Sequence, residues 1–140
     1  MASVFTRIID GDLPGTFVWR DPDCVVFMSI NPTHAGHCLV VPVVEVDHWT
    51  DLDERIRARC FEVAGYVATA CRRAFATDRV GLIIAGFEVP HTHLHVIPAD
   101  TMDDLDFHRA AASVDGAALE EQAAAIRDAL RAAGFEDVLP

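Results

Sequence analysis

The hydrophobic residues of this chain fall largely into short runs that are separated by turn-forming residues. Runs of about four to eight β-branched, aromatic and aliphatic residues bounded by Gly, Pro, Asn or Asp are typical of strands. They predict strands at residues 17–20, 24–28, 37–41, 81–85 and 91–97. The turn Asp21-Pro22-Asp23 separates the first two runs, and a proline that pre-sets the turn dihedral predicts a hairpin there.

Two segments instead repeat their apolar residues every three or four positions, as a helix with one buried face does. The first predicts a long helix over about residues 51–75, with Thr50 as its N-cap. The second predicts a C-terminal helix over about residues 116–133, which Gly134 ends. Hairpin-like segments followed by a helix and two more strands predict an α+β fold on an antiparallel sheet.

Length, composition and charge restrict the class of protein. A chain of 140 residues that is 51% hydrophobic fits one domain, residues 1–140, with a substantial core. No apolar run approaches the ~20 residues of a membrane-spanning helix and no signal peptide is visible, so we expect a cytoplasmic protein with no membrane partner. The net charge of −11 argues against binding a nucleic acid polymer, which requires a basic surface.

The cysteines and basic residues exclude some chemistries. Lysine is absent, which excludes a catalytic lysine. None of the four cysteines forms a Cys-x-x-Cys pair, and all four lie within apolar patterns, which predicts buried free thiols.

Three histidines alternate with two non-ionising residues in His91-Thr92-His93-Leu94-His95. On a strand this spacing places all three imidazoles on one face. One interpretation is a solvated sheet face without chemistry. A second is a metal site on His91 and His93 with a third ligand such as His37 or Glu88, although the outer two histidines of an extended strand lie ~13 Å apart.

The third interpretation is nucleophilic catalysis at phosphorus. A neutral imidazole is a good nucleophile at pH 7. The central histidine would attack while its neighbours hydrogen-bond the phosphoryl oxygens or protonate the leaving group, and donors aimed at the developing charge supply much of the rate.

Residues 91–97 resemble the motif of the histidine triad (HIT) superfamily, in which a histidine and a hydrophobic residue alternate three times. Residues 5–14 are similar to the family's opening segment, and residues 31–42 resemble its proline–glycine–histidine strand. The resemblance covers about residues 3–98, and it is strongest to the Hint-type nucleoside phosphoramidases and related small bacterial HIT proteins. Residues 100–140 form a C-terminal helical extension beyond it, which begins with an acidic stretch interpreted as a solvated loop.

This resemblance implies a five-stranded antiparallel sheet with one long helix, usually in a homodimer, and no cofactor. It implies cleavage at the α-phosphorus of a nucleoside 5′-phosphoramidate, mixed anhydride or dinucleoside polyphosphate, with an AMP-type nucleotide as partner. His93 would form the nucleotidyl intermediate, His91 and His95 would assist at the phosphate or leaving group, and His37 would orient the triad. The positions matching the base pocket, which also suit an ordinary core, are Phe5, Ile8, Phe27 and Ile30.

The chain departs from the family pattern around the triad. Ser29 replaces the acidic residue that binds ribose, and a hydroxyl donates one hydrogen bond where a carboxylate accepts from both ribose hydroxyls. The loop before the triad is short, and Glu88 stands where the family contacts phosphate. Val89, next to it, is a further candidate substrate-binding residue. These differences keep open a second interpretation, a nucleotide-binding module with weak catalysis. Ser3 and Thr6 replace the cysteine pair that binds zinc in some members, so no metal is expected.

Overall fold

The computed structural model describes residues 1–140 as an α+β domain. Its α-helices are α1 (Val4–Ile9), α2 (Glu54–Phe75) and α3 (Gly116–Ala132). Its strands are β1 (Phe17–Arg20), β2 (Cys24–Met28), β3 (Cys38–Pro42), β4 (Arg79–Ile83) and β5 (Leu94–Ala99). Short 3₁₀ turns occupy Trp49–Asp51, Met102–Leu105, Phe107–Arg109 and Glu136–Val138.

The five strands form one sheet in the order β1-β2-β3-β5-β4, and every neighbouring pair is antiparallel. Strand β5, which contains the last two residues of the triad motif, Leu94 and His95, therefore lies inside the sheet between β3 and β4. Its His95 is paired with Leu39 on β3 and with Ile83 on β4. The predicted five-stranded antiparallel sheet is confirmed.

The two faces of the sheet have different partners. Alternate strand residues such as Val40, Leu94 and Val96 pack against α2 and α3 in a core of 19 buried residues. The opposite face carries a cluster of only five buried residues, which are Phe5, Val25, Phe27, Leu39 and Val41. Because side chains alternate along a strand, His95 and Leu39 lie on this second face, away from α2 and α3.

Several predicted boundaries differ from the structure. The long helix begins at Glu54, and its N-cap is Asp53, whose carboxylate accepts from the backbone N–H of Arg55 at 2.9 Å. Thr50 belongs instead to a separate 3₁₀ turn. A carboxylate placed one residue before the first helical turn is a better partner for the free N–H groups than a hydroxyl three residues further back.

The cysteines are free and buried, as predicted. Two lie on strands and two on α2, and all four belong to the main core. The C-terminal helix has its predicted bounds to within one residue, and Gly134 follows it with a positive φ of 95°. None of the helices combines the length and apolar character needed to span a bilayer.

Gly36 holds the loop between β2 and β3 against the end of α2. Its φ is +88°, a conformation that disfavours side chains, and an added Cβ would collide with the ring of Phe75. Its backbone N–H donates to the side chain of Gln122 on α3 at 3.0 Å. This close approach fixes the backbone immediately before His37.

We expect Gly36→Ala to destabilise the protein by about 2–4 kcal/mol, because it combines left-handed backbone strain with a steric clash. Chemical denaturation measures the change in the free energy of unfolding. Gly116→Ala is the matched control: this glycine at the start of α3 has no atom within 4 Å of the added Cβ, so the change should be neutral or stabilise by up to about 1 kcal/mol. Equal effects of the two substitutions would contradict this account of Gly36.

Candidate active site

The histidine motif is divided between a strand and the loop before it. Strand β5 begins at Leu94, so His91, Thr92 and His93 all lie outside it, which corrects the prediction of one strand over residues 91–97. The backbone N–H of Thr92 donates to the carbonyl of Val46 at 2.7 Å, and its hydroxyl donates to the same carbonyl at 2.8 Å. These contacts hold the loop against the segment that follows β3.

His93 has one nitrogen fixed and one free. Its Nδ1 lies 2.8 Å from the backbone carbonyl of His91. A carbonyl only accepts, so Nδ1 carries the hydrogen and the neutral ring has its lone pair on Nε2. Burial lowers the pKa of His93, which keeps this ring neutral at pH 7. The edge-on ring of Phe5, 4.9 Å away between centroids, contributes to that burial.

His37 and His95 form a hydrogen-bonded pair whose tautomers follow from one backbone contact. The N–H of Thr33 donates to Nδ1 of His37 at 3.1 Å, so neutral His37 carries its hydrogen on Nε2. That Nε2 donates to Nδ1 of His95 at 2.9 Å, which leaves the hydrogen of His95 on Nε2. Burial lowers the pKa of His37 to about 4. Burial, with the neighbouring histidines, lowers the pKa of His95 to about 3.

The free nitrogens of His93 and His95 both reach solvent. Neither Nε2 has a hydrogen-bond partner, and the only buried side-chain polar atom without a partner is Oγ1 of Thr33. The two rings lie 5.0 Å apart between centroids. The site therefore presents a lone pair and an N–H donor side by side.

His91 is placed differently from the other two triad rings. It is fully buried, its Nε2 donates to the carbonyl of Pro42 at 2.8 Å, and its Nδ1 accepts from the hydroxyl of Ser3 at 2.7 Å. The expectation that this ring contacts the phosphate or leaving group does not fit, because neither nitrogen is free. Its link to His93 is its backbone carbonyl, which accepts from Nδ1–H of that ring.

Ser3 and Thr6 do not form a metal site. Both belong to a hydrogen-bond network with Glu45, whose Oε1 accepts from the Ser3 backbone N–H at 2.6 Å and from the Thr6 hydroxyl at 2.7 Å. Zinc in proteins is bound by thiolates, imidazoles and carboxylates, and here two hydroxyls stand in place of thiolates. The donor set therefore does not fit a zinc ion.

One other cluster has the residue types of a metal site. His34, Asp100 and Asp104 have potential ligand atoms within 4.8 Å of one another. Hydrogen bonds account for part of this geometry, since Asp104 accepts from the backbone N–H groups of Asp100 and Thr101. The group lies on the surface at the end of β5 rather than at the triad.

The residues predicted for the base pocket are partly brought together. Phe5 and Phe27 are buried with ring centroids 5.5 Å apart, and Ile8 and Val89 pack against the same cluster. Ile30 does not join them, because its side chain is 68% exposed. The apolar surface beside His93 is therefore built from three of the four predicted base-pocket positions, together with Val89.

Ser29 and Glu88 lie at the rim of this arrangement. Ser29 is nearly buried, and its hydroxyl accepts from the backbone N–H of Asn31 at 3.2 Å, which leaves its hydrogen free to donate. Glu88 is exposed, and its charge raises the pKa of His93, partly opposing the effect of burial. An acidic side chain thus acts on His93 from the short loop before the triad.

Phe107 is a site residue that the sequence did not reveal. Its ring lies 4.6 Å from that of His95 and 6.2 Å from that of His37, between centroids, and it is 40% exposed. It belongs to the segment predicted to be a solvated loop. A hydrophobic residue isolated among aspartates and without periodicity gives no sequence signal for such a contact.

A family comparison agrees with this geometry. The HIT domain model matches residues 10–102, which is most of the chain and includes His37 and the triad. The chain belongs to the histidine triad (HIT) family. Family membership supports a nucleotide hydrolase at that general level.

Individual HIT proteins are similar over most of this chain. A HIT-like protein of Borreliella burgdorferi is 33% identical over 113 residues, 76% of this chain and 81% of that one. The adenylylsulfatase HINT3 of Arabidopsis thaliana is 31% identical over 111 residues, 73% of this chain and 54% of that protein. A zinc-bound HIT family protein from Mycobacterium smegmatis superposes with a TM-score of 0.81 at 29% identity, covering 95% of this chain and 96% of that one.

We predict that Phe107→Ala raises the pKa of His95 from about 3 towards its unperturbed value near 6.5, because removal of the ring admits water to the imidazole. A histidine NMR titration measures this change. Met102→Ala, a substitution of an 80% exposed residue in the same segment, should leave the titration unchanged. An unaltered His95 pKa in Phe107→Ala would contradict the role assigned to this ring.

Proposed function

We propose that this HIT protein is a nucleotide hydrolase or transferase that cleaves at the α-phosphorus through a nucleotidyl intermediate on His93. The observation behind the proposal is the fixed tautomer of His93, with Nδ1–H held by the His91 carbonyl and an exposed lone pair on Nε2. A metal ion bound by His91 and His93 would require His91 to break a hydrogen bond, because both of its ring nitrogens are already hydrogen-bonded.

In the first step, the Nε2 lone pair of His93 forms a bond to phosphorus while the bond to the leaving group breaks. The leaving group takes the bonding electron pair and a proton from solvent. His93 becomes positively charged, and the His91 carbonyl stabilises that charge by accepting from Nδ1–H. A neutral histidine with a lowered pKa supplies this nucleophile without prior deprotonation.

In the second step, water attacks phosphorus and the N–P bond returns its electron pair to Nε2 of His93. The protons of the attacking water pass to solvent, and a nucleoside monophosphate is released. An acceptor alcohol or amine in place of water would give a transferase by the same bond changes.

His95 is proposed to donate a hydrogen bond to a phosphoryl oxygen or the leaving atom. His37 fixes the donor, because its Nε2–H occupies Nδ1 of His95 and leaves the hydrogen on Nε2. With pKa values of about 4 and 3, both rings are neutral at pH 7, so His95 acts as a positioned dipole rather than as an imidazolium. A preorganised donor of this kind stabilises charge that develops in the transition state.

The apolar cluster beside His93 suits a nucleobase, and we propose an AMP-type substrate. Phe5 and Phe27 offer flat apolar surface, with Ile8 and Val89 beside them. Ser29 would donate one hydrogen bond to the ribose, which is a weaker contact than that of a carboxylate with two hydroxyls. The proposed leaving groups are an amine, a second acid in a mixed anhydride, or a nucleotide phosphate. The relative HINT3 is an adenylylsulfatase, which belongs with the second class.

A second candidate is a nucleotide-binding HIT module with weak catalysis. Glu88 favours it, because an ionised carboxylate near His93 repels the phosphate that must approach Nε2. Strong nucleotide binding with hydrolysis that is independent of His93 would support this candidate over the enzyme.

We also propose a homodimer formed through the outer edge of β4. This strand is last in the sheet order, so its outer hydrogen-bonding groups have no strand partner. Beside it, Phe61 and Leu82 expose 46% and 43% of their surface around a groove that includes Gly65 and Ala68. A second copy would cover both the edge and this apolar surface.

The central prediction concerns His93. With adenosine 5′-phosphoramidate or adenosine 5′-phosphosulfate, the wild-type protein should release AMP and show a transient mass increase of one adenylyl group. His93→Ala should lose the adduct and at least about 10³-fold of kcat, since the nucleophile is removed. His48→Ala, an exposed histidine outside the site, is the control. No turnover across a panel of the three leaving-group classes would reject the enzyme.

The predicted dimer is tested by light scattering after gel filtration. Phe61→Glu should convert the wild-type dimer into a monomer, because it places a charge in the apolar groove beside β4. Val44→Glu, at a residue that is 48% exposed in a distant loop, should remain dimeric. A monomeric wild-type protein at micromolar concentration would contradict this interface.

A further inference from the structure

Glu45 lies outside the histidine motif but is connected to it by short hydrogen bonds. It belongs to the loop that follows β3, and its Oε1 accepts from the backbone N–H of Ser3 and from the hydroxyl of Thr6. The contact spans about forty residues of sequence and joins this loop to the first turn of α1. These two hydrogen bonds, first that from the Ser3 backbone N–H and then that from Thr6, lower the pKa of the exposed Glu45 carboxyl, so it is ionised at pH 7.

Helix α1 depends on such contacts for its position. Six residues are too few for a helix to be stable alone, because nucleation is costly and each further residue adds one hydrogen bond. Ser3 caps α1 by accepting from the backbone N–H of Thr6 at 3.1 Å. Glu45 in turn anchors both residues, and it thereby fixes the direction of the Ser3 hydroxyl.

The Ser3 hydroxyl is hydrogen-bonded to His91, the first histidine of the triad. Ser3 Oγ lies 2.7 Å from Nδ1 of His91, and the opposite nitrogen of His91 donates to the carbonyl of Pro42. The ring of His91 is thus held at both ends, by α1 on one side and by the end of β3 on the other. Its backbone carbonyl, oriented with the ring, accepts from Nδ1 of His93.

We propose that Glu45 is a positioning residue for the nucleophile, acting through Ser3 and His91 to hold the carbonyl that fixes the tautomer of His93. Glu45 touches neither ring and therefore has no catalytic contact of its own. The kinetic part of this inference rests on the function proposed above, whereas the tautomer of His93 can be observed without any substrate.

The structural test is NMR of protein with ¹⁵N-labelled histidine. In the wild type, we expect slowly exchanging N–H resonances from His91 Nε2 and His93 Nδ1, with ¹⁵N shifts of single fixed tautomers. Glu45→Ala should broaden or remove the His93 Nδ1–H resonance and shift His93 towards a mixture of tautomers. Glu45→Gln should largely restore both signals, because its amide oxygen accepts the same two hydrogen bonds.

The kinetic test uses the same variants with the substrate identified from the panel. We expect kcat to fall about tenfold in Glu45→Ala and by less than about threefold in Glu45→Gln, with a smaller change in KM, since the loss concerns the orientation of the nucleophile. Glu121→Ala is the matched control, an exposed glutamate on α3 without a hydrogen bond or ion pair. If Glu45→Ala does not fold, Glu45→Asp is used in its place in both tests, because it withdraws the carboxylate by one methylene.

The outcomes separate the two proposals. Altered His93 resonances in Glu45→Ala, with no turnover by the wild type, would support the positioning role and reject the enzyme. Turnover that falls in Glu45→Ala while the His93 tautomer is unchanged would overturn the positioning role. Wild-type resonances and kcat in Glu45→Ala would overturn it as well.

Discussion

The candidate site depends on one hydrogen bond, from Nδ1–H of His93 to the backbone carbonyl of His91, at 2.8 Å. An imidazole in water exchanges its hydrogen between two nitrogens, so only part of the population offers a lone pair at a given position. Here the carbonyl selects one tautomer, and burial selects the neutral ring. Both choices are made by the fold itself, so the proposed reaction would need little reorganisation of this ring.

The surrounding elements stabilise that arrangement from several directions. Thr92 ties the loop before β5 to the segment after β3, and the carbonyl of Pro42 holds one end of His91. Thr33 sets the hydrogen positions of His37, and through it those of His95. Each of these partners is a backbone group or a short side chain. The site is therefore specified largely by the path of the backbone, with aromatic rings at either end of the histidine row.

The sequence predicted those features that depend on local periodicity. Alternation predicted that His93 and His95 lie side by side, as their rings do, although only His95 belongs to β5. Helical spacing predicted α2 and α3. The position of His91 was not predictable, since the contacts of Thr92 with Val46 stop the strand from beginning earlier. Phe107 was missed for a similar reason: it reaches His95 through tertiary packing of an irregular segment. The resemblance to the HIT family suggested a role for each histidine, whereas periodicity predicted only that the histidines share one face.

The unequal faces of the sheet have a consequence for evolution. The 19-residue core lies between the sheet and helices α2 and α3, while the candidate site shares its face with a cluster of five buried residues. Substitutions around the histidines therefore leave most of the folding energy untouched. Side chains at Ser29, Glu88 or Phe107, which lie outside this core, can therefore be exchanged without compensating changes within it. Separation of the main core from the candidate site allows the surroundings of the histidines to change while the fold is kept.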